Sequence, residues 1–181
     1  MTLACSTAFA AEADSCAVSH TAKVAFTSKL GTDIVTATAI PGPVKPGEGS
    51  VAVNPGTGPN CILSAVALTI TKSDGTLLNG FVTSLAAANF DAGHMMEPQS
   101  PEAVDKFFAE WTKVELSTTD KAPKPGDEFE TTLDDETYKA VRDRKDPMLC
   151  YMEDNFTKAC IFSDSTSEGY VQPFFRQPTG G

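Results

Sequence analysis

The sequence predicts an α+β fold: an antiparallel, β-rich N-terminal part, two short helices after it, and a C-terminal hairpin linked by a disulfide. Three observations carry this. Strand-like alternation fills the first half of the chain, the two helical patterns fall after residue 100, and a pair of cysteines brackets a turn at 150–160. With strands first and helices later, the order does not suit a strictly alternating parallel sheet.

The elements follow in order. Residues 22–28 (AKVAFTS) alternate apolar and polar and read as a strand, and 33–40 (DIVTATAI) as a second. Residues 41–60 are dense in proline and glycine, interrupted only by Val51, Ala52 and Val53. Proline has no amide hydrogen to give a ladder and glycine is costly to order, so this is read as a long surface loop with one short edge strand. Loops of that length often bind, which makes 41–60 a candidate binding surface. Residues 61–72 (CILSAVALTITK) are strongly apolar and branched and read as a central strand. Ser73, Asp74 and Gly75 supply a turn, and 76–83 return as its hairpin partner.

Ser100, Pro101 and Glu102 form a helix start, with a hydroxyl cap, proline at the first helical position and a carboxylate in the first turn. Val104, Phe107, Phe108 and Trp111 follow at helical spacing and form one apolar stripe, which docks the helix on the sheet. Residues 121–127 (KAPKPGD) are a linker. Asp134 then caps a second helix running to about Lys145, with Asp135 and Glu136 at its positive end, Tyr138 and Val141 on its apolar face, and Pro147 stopping it. The hairpin at 150–160 follows, and 170–175 (YVQPFF) make a last strand that Pro173 confines to an edge.

Charge and cysteine count narrow the function classes. The net charge is -10 over 181 residues with no long basic run, a field that repels nucleic acid. The local basic cluster at 139–145 lies where cations complement the end of the second helix. No run reaches the ~18 apolar residues of a membrane helix. Residues 1–10 are apolar and small, and Ala8, Phe9 and Ala10 form a small-x-small triplet followed by Glu12 and Asp14, so 1–10 are read as the remnant of an export signal and 11–181 as one globular domain. Leu3, Ala4 and Cys5 also have some character of a lipoprotein attachment site.

Five cysteines are an odd number; cleavage after Ala10 removes Cys5 and leaves Cys16, Cys61, Cys150 and Cys160. Four cysteines allow three pairings. If Asp154, Asn155 and Phe156 form a three-residue loop, Cys150 and Cys160 lie opposite each other, within disulfide reach; a two-residue loop at Asp154 and Asn155 opposes Cys150 and Ala159 instead. The expected pairing is Cys150 with Cys160, leaving Cys16 to clamp the N-terminal segment to Cys61. Neither a C-x-x-C redox spacing nor a zinc pattern competes with it. Disulfides place the protein in an oxidising compartment, periplasmic or secreted.

The run 135–162, a short helix leading through proline into a Cys-Tyr strand and an Ala-Cys strand, resembles the tail of small exported bacterial proteins of unknown function, and 69–81 (TITKSDGTLLNGF) is similar to their central hairpin. The resemblance implies export and fold, with no catalytic residue carried across.

Chemistry is sparse in the sequence. Only His20 and His94 are histidines, and the nucleophile-elbow, zinc-protease, P-loop and dinucleotide motifs are lacking. His94, Met95 and Met96 make a short set suited to Cu(I), to which Met148 and Met152 add if the hairpin lies near; methionines plugging an irregular core gap are the other reading. Asp134 to Glu136 and the loop 164–169 carry oxygen ligands without calcium-loop order, and are read as helix-start electrostatics and a solvated turn. Asn155, Phe156 and Thr157 form a glycosylation sequon, relevant only to secretion through a eukaryotic pathway. The expected function is an exported non-enzymatic module that binds a protein or envelope component; the alternatives are an exported hydrolase whose carboxylate pair leaves no fixed spacing and a copper-binding periplasmic protein.

Overall fold

The computed structural model describes residues 16–27, 31–40, 61, 64–88, 101–154, 156–167 and 170–179. Residues 1–10 with Cys5, read from the sequence as an export-signal remnant, residues 41–60, read as a loop, Ser100, and the sequon residue Asn155 lie outside them.

Two antiparallel four-stranded sheets make up the α+β fold. In the first, β1 (Ser19–Val24), β2 (Asp33–Ile40), β3 (Ala65–Thr71) and β4 (Leu77–Ser84) are paired in chain order. A one-turn helix α1 (Leu85–Ala88) follows, then α2 (Pro101–Trp111). The second sheet takes β5 (Glu115–Thr118), β6 (Pro147–Met152), β7 (Thr157–Asp164) and β8 (Tyr170–Pro178), again in order, with α3 (Asp135–Arg144) between β5 and β6. No helix among the described residues is long and apolar enough to cross a membrane.

Alternation decides which face of the first sheet is buried. Val35, Ala37 and Ala39 of β2 lie opposite Ile70, Leu68 and Val66 of β3, and all six are buried. Val104, Phe108 and Trp111 of α2 close on this cluster, as the helical spacing requires, and Leu149, Tyr151 and Ile161 of the second sheet join it. The core is therefore shared by α2 and both sheets. Trp111 Nε1 also donates to the Met152 carbonyl at 2.7 Å, tying helix to hairpin.

The first strand starts three residues and ends four residues earlier than its alternation suggests. The amides of Phe26 and Thr27 donate to the Asp33 carboxylate, at 3.1 and 2.7 Å, instead of to a neighbouring strand, so the ladder ends at Val24. β3 starts later than residue 61, because Cys61 is bonded to Cys16 and the ladder begins only at Ala65. β5 has no counterpart in the sequence reading: four residues without alternation, following directly on a helix, carry too little pattern to register.

A second cluster lies on the other face of the second sheet, where Tyr138 and Val141 of α3 pack on Met148, Cys150, Cys160, Phe162, Phe174 and Phe175. Two consecutive phenylalanines share one core because β8 bulges: Cys160 faces Phe175 while Ile161 faces Pro173, leaving Phe174 as the extra residue. Its carbonyl is taken by Thr131 Oγ1 at 2.7 Å. Asp134 caps α3 by accepting from the Thr137 amide at 2.8 Å, and Lys145 ends it in the left-handed region at φ 60°.

Thr119 connects α3 to this sheet. It is fully buried; its hydroxyl donates to the Val141 carbonyl at 2.7 Å and accepts from the Asp146 amide at 3.0 Å. Thr119→Val keeps the shape but removes both bonds, and should cost about 1–3 kcal/mol, read as a lower urea midpoint with an unchanged slope.

Candidate functional site

The structure pairs Cys150 with Cys160 and Cys16 with Cys61. The hairpin register puts Cys150 directly across from Cys160, as the three-residue loop requires. Both bonds are buried, which makes them structural staples and not exchange centres. His94, Met95 and Met96, the candidate copper ligands, lie outside the described residues. The two hairpin methionines do not share a site: Met148 belongs to the α3 cluster and Met152 packs against the α2 cluster. His20 lies on β1 with Nδ1 3.8 Å from Asp105 of α2.

The turn after β7 is solvated at Ser165, Thr166 and Ser167, but Asp164 at its start is not. Asp164 is buried, and its carboxylate accepts from the Thr166 amide and hydroxyl, from Ser167 and from Gln172. Arg144 at the end of α3 bridges it to buried Asp146, at 3.2 and 2.8 Å. The basic cluster thus serves the helix end and also neutralises two buried carboxylates.

Sequence reasoning missed a different arrangement, assembled from five segments. Tyr151 on β6 faces Ala159 on β7, Ala159 faces Arg176 on β8, and Glu130 bridges to the outer edge of Arg176. With strands about 4.8 Å apart, the small Ala159 side chain leaves a trough between a phenol and a guanidinium. Asn79 of β4 reaches in from the first sheet, its Nδ2 donating to the Tyr151 hydroxyl at 3.2 Å. Together these residues line a cleft of about 340 Å³ whose apolar side is formed by Ile161, Pro173 and Phe174. A smaller hollow of about 290 Å³ shares Glu130 and Arg176 with it.

The polar groups of the cleft are fixed before any ligand arrives. Arg176 Nε and Nη2 both donate to Glu153 Oε2, the former at 2.8 Å, and Nη1 is 4.0 Å from Glu130. That hydrogen bonding, outweighing burial, pushes the Arg176 guanidinium above its usual value, so it is a permanent cation. Tyr151 is 7 % exposed; burial pushes its phenol up against the opposing pull of the Asn79 hydrogen bond. Its hydroxyl accepts from Asn79, and its own proton has no acceptor among the described residues.

The signal available in the sequence was the hairpin register, which would have set Tyr151 across from Ala159. Nothing in the spacing of Asn79, Glu130 and Arg176 announces that they meet. No family model matches the chain, and comparison with curated proteins and with solved structures finds no similar protein.

Proposed function

We propose that this protein is an exported, non-enzymatic binding module that holds a protein or cell-envelope component in the cleft of Asn79, Tyr151 and Arg176. The observation that carries this reading is the cleft itself: a concave site with an apolar wall and a few convergent polar groups already held in place. Two buried disulfides support an oxidising compartment, periplasmic or secreted, and give the hairpin that builds the cleft a rigid base. The small-residue triplet ending at Ala10 supports export by the same route.

The hydrolase reading draws on one specific feature, the presence of Glu130 and Glu153 in one cleft. Arg176 stands between them and is hydrogen-bonded to Glu153, and the Glu130 side chain is 82 % exposed. A general acid needs desolvating surroundings, which Glu130 lacks, so binding is favoured over hydrolysis.

Co-sedimentation with isolated bacterial envelopes tests the proposal. The purified protein should pellet with the envelopes, and an Asn79→Ala, Tyr151→Phe double variant with near-unchanged thermal unfolding should stay in solution. Equal pelleting of both, or none of the unaltered protein, would count against it.

A further inference from the structure

We infer that the cleft takes a neutral, polyhydroxylated ligand, a saccharide, oriented by Tyr151, Asn79, Arg176 and the two glutamates. This deepens the binding reading and rests on it. Three observations converge on that chemistry. The site presents donors and acceptors side by side: the Tyr151 proton, unclaimed among the described residues, and Arg176 Nη1 on one hand, the carboxylates of Glu130 and Glu153 on the other. An anion would use the donors alone and meet two carboxylates in a protein of net charge -10. A cation would use the acceptors alone, leaving the buried Tyr151 hydroxyl unmatched beside an arginine. A hydroxyl both donates and accepts, so a polyol satisfies both sets without adding charge.

Shape agrees with the polar pattern. Pro173 is exposed on the apolar side of the cleft, a surface against which the C–H face of a sugar ring packs while its hydroxyls reach the polar groups. Ala159 sets the depth, because any larger side chain there would fill the space between Tyr151 and Arg176.

The test is a chemical-shift titration of the full, ¹⁵N-labelled chain with five probes: cellobiose, maltose, diacetylchitobiose, lysyl-lysine and glucuronate. At least one neutral disaccharide should shift the amides of Tyr151, Glu153, Ala159 and Arg176 and leave α2 unmoved. Tyr151→Phe and, separately, Asn79→Ala should each weaken that binding by about tenfold, a hydrogen bond's worth. If lysyl-lysine or glucuronate moves these amides and no neutral sugar does, the saccharide inference is overturned while the binding reading stands. If no probe moves them, the saccharide inference falls, and the binding reading is decided by the envelope co-sedimentation. Sugar binding accompanied by new reducing ends would keep the inference and overturn the non-enzymatic reading.

Discussion

Arg144→Met should lower stability at neutral pH by about 3–5 kcal/mol. The arginine is the cation shared by two buried carboxylates, Asp146 and Asp164, and its guanidinium also lies 5.8 Å from the centre of the Phe162 ring. Methionine retains the stem but removes the cation that pairs with both carboxylates. Asp164 keeps its bonds from Thr166, Ser167 and Gln172, which argues for the lower end of the range.

The pH dependence of this loss has a definite sign. Burial alone pushes the Asp164 carboxyl up, but the Thr166 hydrogen bonds, the Arg144 charge and Ser167 together carry it below its ordinary value of 3.8. A carboxyl lowered in the folded state stabilises the fold above its unfolded value, and that contribution is lost as pH falls through the folded one. Urea midpoints measured from neutral pH down past 4 should therefore show the difference between the two proteins shrinking in acid. A difference that stayed constant would mean that Arg144 acts by packing and not by charge.

Removing the Cys16–Cys61 bond by a double serine substitution should cost about 4 kcal/mol by the chain-entropy argument, against about 3 for Cys150–Cys160. The order follows from loop size, since the first bond closes a sequence separation of 45 and the second of 10. The hairpin also keeps its ladder when its disulfide is gone: Met148, Leu149, Tyr151 and Met152 still pair with β7. Denaturant unfolding of the two double variants checks the order, and equal losses would show that strain or residual unfolded structure outweighs loop closure.

Local chemistry made much of the fold readable. The Asp134 cap, the Tyr138 and Val141 face, the stripe on α2 and the 150–160 register each depend on residues within a turn or two of one another. What the sequence concealed depended on contacts between distant segments. The end of β1 is set by Asp33 capturing two amides, and the bulge that lets Phe174 and Phe175 share a core is completed by Thr131. The loop at 164–169 looks hydrophilic, yet Asp164 is buried because Arg144 arrives from α3. The cleft was illegible for the same reason, as Asn79, Glu130, Tyr151 and Arg176 meet only once both sheets have formed.

The proposed export supposes an oxidising compartment, in which Cys16–Cys61 and Cys150–Cys160 form and persist. The intact mass of the chain exported from a bacterial host, after thiol alkylation under denaturing, non-reducing conditions, tests this most directly. A mass beginning near Ala11 with no alkylation of Cys16, Cys61, Cys150 or Cys160 is the expected result. An uncleaved chain with free thiols at these positions would contradict it, and with it the proposal of an exported binding module.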